Sequence, residues 1–125
     1  RDLHSFPTRR SSDLGLYPSK YWGEQQKKEA HKYGAIVDIP FPNVPAEATE
    51  DDIRRLCDAT VKKVMGYSPE AVLCQGEFTL AFQIINTLLE QDVTVVAACS
   101  ERVVKENGNR KESYFYFKKF RKYSK

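Results

Sequence analysis

The sequence lacks the features of membrane-spanning and disulfide-stabilised proteins. None of its apolar runs approaches the roughly 20 residues that a membrane-spanning helix needs, and no segment has the apolar centre of a secretory signal. Cysteine occurs only three times, at Cys57, Cys74 and Cys99, each time inside an apolar periodic segment. An odd number of such cysteines predicts free thiols in a reducing compartment, so we expect a cytoplasmic protein without a membrane partner.

Histidine is scarcer still, with only His4 and His31 present. No cluster of histidine, cysteine and carboxylate side chains is therefore expected to converge, and the sequence predicts neither a metal site nor a cofactor. Without a neighbouring histidine, Cys99 is expected to be a core thiol and not a nucleophile. A chain of 125 residues is long enough for one domain.

Positive charge is concentrated at the C-terminal end. Of the net charge of +3, the last eight residues contribute +5, so the rest of the chain carries −2. The basic character is therefore local, and we expect no duplex nucleic acid as a partner. The aromatic run at residues 114–117 and the basic tail are most simply sheet packing and a solvated end, with assistance in RNA binding as the alternative.

The first fourteen residues look foreign to the rest of the chain. Residues 1–14 show neither the period of a strand nor that of a helix, and they resemble translated sequencing-adapter read-through. We therefore expect a foreign N-terminal segment at residues 1–14, a single domain at residues 15–125, and a first strand that is lost or replaced. Only the segment 14–16 is expected to survive as the end of that strand.

Helical and strand periods alternate along the remaining chain. A polar helix is predicted over residues 21–33 with Ser19 as its N-cap, followed by a central strand at residues 35–39. A second helix is predicted to begin at Thr49, which forms a capping box with Asp52, and to end at Gly66. A buried strand at residues 71–74 then leads into an apolar helix.

A further buried strand is predicted at residues 93–98, and the period then changes to that of a hairpin, turning at residues 107–109. This order predicts an α/β class and a Rossmann-like parallel sheet, with helices on both faces and a C-terminal antiparallel hairpin. The G-x-G-x-x-G phosphate fingerprint is absent.

Three segments are expected to meet at the carboxyl edge of this sheet, where such folds bind ligands. They are residues 17–20, residues 75–79 and residues 100–102. Their donors and helix N-termini suit a phosphodiester, because they hold an anion while offering few acceptors that would repel it. The contributing side chains are Ser19, Lys20, Gln75, Glu77, Thr79, Ser100 and Arg102.

Several of these residues have simpler structural explanations. Glu77 suits the first turn of a helix, where a carboxylate stabilises the macrodipole. Arg102 could form a structural pair with Glu101 or Glu77, and Ser19 is more readily an N-cap than a ligand contact. Gly76 is expected at a tight turn where another group approaches the backbone closely.

The sequence also resembles a family. Residues 76–82 (Gly-Glu-Phe-Thr-Leu-Ala-Phe) followed by residues 100–104 (Ser-Glu-Arg-Val-Val) resemble small CRISPR-associated proteins related to the CRISPR-associated Rossmann-fold (CARF) sensors. Residues 36–42 and 115–123 add to the resemblance, which covers most of residues 17–123. It implies a CARF-like domain that binds cyclic oligoadenylate, the second messenger of type III CRISPR defence, across a homodimer.

The resemblance further implies cleavage of the ring without a metal. A ribose 2′-hydroxyl would attack its adjacent phosphorus, leaving a 2′,3′-cyclic phosphate and a 5′-hydroxyl. The ring is expected to be cyclic tetra-adenylate. The implied catalytic residues are Ser100, Arg102 and Glu77, and the implied ligand-binding residues are Ser19, Lys20, Gln75, Gly76, Phe78, Thr79 and Glu101.

Two other functions remain open at this stage. The protein could be a cyclic-nucleotide sensor or sponge that binds without cleaving, which the lack of an obvious general base favours. It could instead be a Rossmann enzyme acting on nucleosides or nucleotides, with Glu77 as nucleophile or base. In each case a homodimer is expected, because the helix after Gly76 is more apolar than one sheet face can cover.

Overall fold

The computed structural model describes residues 10–15 and 18–125, which form one sheet with helices on both faces. The strands are β1 (Arg10–Gly15), β2 (Ala35–Pro40), β3 (Ala71–Cys74), β4 (Thr94–Asn107) and β5 (Arg110–Lys122). The helices are α1 (Glu24–His31), α2 (Glu50–Met65) and α3 (Phe78–Glu90), with a short 3₁₀ turn at Ser19–Tyr21.

The sheet order is β2-β1-β3-β4-β5. The pairs β1–β2, β1–β3 and β3–β4 are parallel, whereas β5 pairs antiparallel with β4. Parallel strands joined by helices, with a hairpin on one edge, confirm the predicted α/β Rossmann-like fold.

The position of the first strand is filled. β1 lies between β2 and β3, and the Leu14 side chain is fully buried in the core. Most of β1 falls within residues 1–14, so this part of the segment occupies the place where a first strand was expected to be lost or replaced. Residues 1–9 and 16–17 lie outside the described residues, and the foreign origin of the segment stays a prediction.

Because β1 lies between β2 and β3, β2 is an edge strand of the sheet. The prediction of a central strand at residues 35–39 was therefore wrong. Apolar residues alone suggested a central strand, but Ile36 and Val37 are only half-buried. Ile39 is the one side chain of β2 that is buried, at 3% exposure.

The first helix also differs from its prediction. It begins at Glu24 with Gly23 at the N-cap, and Ser19 instead opens the 3₁₀ turn. Ser19 was assigned as N-cap from residue type, but its hydroxyl and N–H both donate to the Asp38 carboxylate, at 2.7 and 3.0 Å. A local propensity was overridden by a partner on a distant strand.

The second helix follows its prediction closely. Thr49 and Asp52 form the reciprocal capping box, and Gly66 stands at the C-cap of α2. α2 packs against α3, where the Cys57 sulfur and the Thr87 hydroxyl lie 3.7 Å apart. These two helices cover one sheet face. The other face is covered by Ala30 of α1 and by Trp22, which precedes α1.

β4 is longer than predicted because it contains both the strand expected at residues 93–98 and the first strand of the hairpin. Its pairing with β5 runs without a break except for one register shift at Cys99/Ser100. Gly108 turns the hairpin with a φ of +66°, a conformation that glycine adopts without strain. The predicted hairpin is therefore confirmed, as the end of a continuous ribbon.

Candidate ligand-binding site

A cavity of about 660 Å³ lies at the edge of the sheet where β3 ends. Gln75 follows β3 into this cavity, and Ser100 lines it from β4. The remaining wall is formed by the turn that leads into α1 and by the middle of β5. The lining residues are Tyr21, Trp22, Gly23, Glu24, Gln25, Gln26, Gln75, Ala98, Ser100, Phe115, Tyr116 and Phe117. Its volume falls within the range of small-molecule sites.

The α1 side of the cavity is held in place by the bonds between Ser19 and Asp38. Asp38 lies on β2, and both its oxygens accept hydrogen bonds from Ser19, so the 3₁₀ turn is tied to the sheet. Tyr21 and Trp22 follow directly and become part of the cavity wall. Ser19 thus positions the wall, and Asp38 is a residue that the sequence did not single out.

Gln75 and Gly76 form the predicted turn after β3. The Gln75 N–H donates to the Leu14 carbonyl at 2.9 Å, which anchors the turn to β1. A Cβ at Gly76 would lie 2.5 Å from the ring of Phe41. The group that approaches the glycine is therefore a core side chain of this chain, and not a ligand.

Glu77 serves as the N-cap of α3. Its carboxylate accepts from the N–H groups of Thr79 and Leu80, at 3.2 and 2.8 Å, and from the Thr79 hydroxyl. The Thr79 hydroxyl, followed by the Leu80 N–H, lowers the pKa of Glu77. A carboxylate that accepts these hydrogen bonds is a weak base, because they stabilise its charged form. Glu77 also does not line the cavity.

The segment 100–102 was predicted to lie beyond the end of a strand, but it lies within β4. Ser100 lines the cavity. Glu101 is paired with Lys118 at 3.0 Å, and Arg102 donates to the Ser113 hydroxyl at 3.1 Å. Neither predicted partner of Arg102 is used, because the continuous ribbon brings residues of β5 within reach instead.

The other predicted ligand residues are dispersed. Phe78 is 89% exposed, at the start of α3. Thr79 lines a separate groove of about 320 Å³, which it shares with Thr49 and Arg54 of the α2 region. Lys20 is adjacent to the cavity, since its ammonium lies 5.0 Å from the ring centroid of Tyr21. Of the predicted residues, Gln75 and Ser100 line the cavity itself.

Aromatic rings are the part of this site that the sequence analysis missed. Phe115 and Phe117 lie at alternate positions of β5, and both line the cavity with Tyr21 and Trp22. The period of the 114–117 run indicated that alternate rings share a face. The sequence did not give the register shift of β5 or the position of α1, so it did not show that Phe115, Tyr116 and Phe117 would line a cavity with Trp22.

Within residues 10–15 and 18–125, no group of three histidine, cysteine or acidic residues is placed to hold a metal. No helix there is long and apolar enough to cross a bilayer. The three cysteines are free, and burial raises the pKa of the Cys74 thiol to about 12.

A second surface, the α3 stripe, is formed by Phe78, Phe82, Ile85 and Leu89, which recur at helical spacing. Phe82 is 66% exposed, and Ile85 and Leu89 are half-buried. Three of these side chains, with Tyr123 at the end of the chain, line an apolar groove of about 570 Å³. The helix thus presents an uncovered apolar face, as its composition indicated.

The fold and cavity define a small α/β protein with a ligand-sized site at the carboxyl edge of its sheet. Residues 14–121 match the family described as Uncharacterized protein MJ1673 family. Because the match covers most of the chain, the protein belongs to this family. The comparisons with curated proteins and with solved structures found no match.

Proposed function

We propose that the protein binds a cyclic oligoadenylate, with cyclic tetra-adenylate as the expected ring, as a homodimer in the cytoplasm. The observation that carries the proposal is the cavity of about 660 Å³, which is lined by both aromatic rings and amide side chains. Single-stranded nucleotides are held in this way, because their unstacked bases stack on aromatic rings and offer hydrogen-bonding edges.

Base recognition rests on two groups of side chains. Tyr21, Phe115 and Phe117 offer rings for stacking, and Tyr21 is 57% exposed. The amides of Gln25 and Gln75 can donate and accept at once, which is the pattern that the N6 and N7 atoms of adenine require. Adenine suits this site better than a pyrimidine does, because its larger ring fills more of the aromatic surface.

Phosphate groups would be held at the cavity rim. Lys20 places an ammonium beside Tyr21, and the Ser100 hydroxyl is available from β4. α1 also directs its N-terminus at the cavity, with Gly23 at its N-cap providing no side-chain oxygen. Backbone N–H groups at such an end favour anions, although Glu24 adds one carboxylate to the lining.

The geometry favours binding over chemistry. Of the three implied catalytic residues, Glu77 caps α3 and Arg102 donates to Ser113, which leaves Ser100 in the cavity. Cleavage by the ribose 2′-hydroxyl needs no base from the protein when the attacking and leaving oxygens are held in line. Ring cleavage is therefore our second candidate, and the Ser100 hydroxyl is the observation that favours it. A nucleotide-processing enzyme that uses Glu77 has no comparable support.

The homodimer rests on the α3 stripe. A second copy would cover Phe82, Ile85 and Leu89, and a two-fold assembly presents its residues twice to a two-fold ring. Because Phe82 points outward, Phe82→Glu should give a folded monomer. Sedimentation of the wild type as a monomer at micromolar concentration would contradict the dimer.

The proposed function is tested by titrating labelled cyclic tetra-adenylate into the protein. Tyr21→Ala should weaken binding roughly 5- to 100-fold, the range for loss of one stacked base. Tyr67→Ala is the matched control, because this tyrosine follows α2 and does not line the cavity. The proposal fails if the folded wild type does not bind the ring, or if both variants bind it as the wild type does.

Cleavage is measured in the same samples with a chelator present. A ring nuclease would yield linear products that end in a 2′,3′-cyclic phosphate, and Ser100→Ala would slow their appearance by a larger factor than it weakens binding of the ring. An intact ring after prolonged incubation would assign the protein to the sensors or sponges.

A further inference from the structure

The outer part of the hairpin, which we call the β4–β5 arm (residues 101–117), extends beyond the core, and residues 115–117 at its base line the cavity. Every residue from 104 to 116 is exposed. Its strands pair from Arg102 with Phe115 to Asn107 with Arg110, so at about 3.4 Å per residue the arm extends for roughly 20 Å. A two-stranded ribbon of this length is marginally stable when nothing packs on it.

The arm carries aromatic rings on open surface. Tyr114 and Tyr116 are 40% and 47% exposed, and their rings lie 6.5 Å apart at an interplanar angle of 29°. The Lys105 ammonium lies 5.5 Å from the centroid of the Tyr114 ring. On the other side of the ribbon Phe115 is 69% exposed. A cation beside a pair of nearly parallel rings offers both a stacking surface and a phosphate contact.

The arm is nearly balanced in charge, with four basic and three acidic residues, and the tail that follows it is strongly basic. Residues 118–125 add five basic residues and no acidic one. Carboxylates of the arm are already engaged: Glu101 pairs with Lys118, Glu106 lies 3.9 Å from Lys111, and Glu112 accepts from the Tyr114 hydroxyl. In the described part of the chain, the basic residues without a carboxylate partner include Lys105, Arg110, Lys119, Arg121 and Lys122. Lys111 is also available to a phosphate, because its pair with Glu106 is long and solvent-exposed.

Protection of a sheet edge explains only part of this pattern. β5 is an edge strand, and lysines on an edge strand prevent pairing with other chains. That purpose does not require exposed rings, which cost solubility and do not contribute to the core. Rings interleaved with cations are instead the composition of surfaces that bind single strands, where bases stack and the backbone follows positive charge.

We propose that the β4–β5 arm binds single-stranded nucleic acid, with bases stacked on Tyr114 and Tyr116 and phosphates held by Lys105, Arg110 and Lys111. The site adjoins the cavity of the proposed function at Tyr116, which lines the cavity, but Tyr114 and these three basic residues do not line it. A duplex is a poor occupant, since its bases are already stacked on one another and their faces are closed to the tyrosines.

The test measures fluorescence anisotropy of a labelled oligouridylate of about 20 nucleotides, at several salt concentrations. Lys105→Gln/Arg110→Gln/Lys111→Gln should weaken binding at least about tenfold and reduce the slope of log affinity against log salt by roughly 2, at about 0.7 per phosphate contact. Tyr114→Ala should weaken binding roughly 5- to 100-fold with the salt slope unchanged, and Tyr114→Phe should retain the wild-type affinity.

Lys62→Gln/Lys63→Gln is the charge control, because both lysines are exposed on α2, away from the arm; it removes two positive charges where the arm variant removes three. The proposal is overturned if the wild type does not bind the oligonucleotide, if the α2 variant loses as much affinity as the arm variant, or if a duplex of equal length binds as tightly. It is also overturned if the arm variants convert a dimer into monomers, because the arm would then be a protein interface. Unchanged affinity of the arm variants for cyclic tetra-adenylate separates this site from the cavity.

Discussion

Replacement of Gly76 by alanine tests how closely the Phe41 ring packs on the turn after β3. A Cβ at this position would lie 2.5 Å from three carbons of the Phe41 ring, about 1 Å inside normal contact. Phe41 is only 7% exposed and belongs to the main core cluster. Its neighbours Pro40 and Pro42 fix the backbone on both sides, so the ring has little freedom to move away.

The size of the effect follows from two opposing terms. Overpacking of a core costs about 1–3 kcal/mol. Gly76 does not have a positive φ, so alanine adds no backbone strain and lowers the entropy of the unfolded chain, an offset of about 0.4–1 kcal/mol. We therefore expect Gly76→Ala to lower the free energy of unfolding by about 1–2 kcal/mol, measured by urea denaturation.

Phe41→Leu provides the partner variant, because the smaller side chain leaves room for the added methyl group. In this background Gly76→Ala should be neutral or slightly stabilising, which gives a coupling energy of about 1–3 kcal/mol between the two sites. Gly23→Ala is the control without steric overlap: its Cβ would meet no atom within 4 Å, so the expected cost is only that of a poorer N-cap for α1, about 0.5–1 kcal/mol, and it should be the same in both backgrounds. Equal effects of Gly76→Ala in both backgrounds would refute the steric argument.

Three further predictions concern caps and thiols. Thr49→Ala should lower the free energy of unfolding by about 1 kcal/mol in urea, since it removes the capping box of α2, whereas Thr49→Ser should not. Because the pKa of Glu77 is lowered in the folded state, its stabilising effect is complete above the ordinary pKa of 4.5 and is lost as the pH falls below that value. Glu77→Gln should therefore reduce the dependence of thermal stability on pH in this acid range. An unchanged pH dependence would contradict the role of Glu77 as N-cap. Iodoacetamide at pH 8 should modify Cys99 before Cys57 and Cys74 in peptide maps, because burial raises the pKa of the latter two thiols; early modification of Cys74 would contradict its buried position.

Periodicity and capping residues were enough to predict most of the elements. The apolar stripe of α2 with its Thr49 cap, the fully buried β3, and the hairpin turn at Gly108 all depend on local patterns of 3.6 or 2 residues. Such patterns are contained within one segment of chain, so they are legible without knowledge of the neighbours. The uncovered face of α3 was indicated by its composition in the same way.

The candidate site could be predicted only in outline. That Gln75 and Ser100 meet at one edge follows from the parallel order of the strands. The sequence did not predict that Ser19 bonds to Asp38, because Asp38 lies on a separate strand. It did not predict that Arg102 bonds to Ser113, because the register between β4 and β5 brings these two residues together. A hydrogen-bond partner is chosen by proximity in space, and residue type alone does not specify it.

Strand order was decided by the tertiary structure alone. Insertion of β1 between β2 and β3 makes β2 an edge strand, although its apolar composition suggested a central one. Likewise, β4 continues past residue 98, where a strand was expected to end, because β5 pairs with it over its whole outer length. Local sequence sets the type of each element, but the pairing of a strand edge is a contact between distant segments, and only the folded chain brings those segments together.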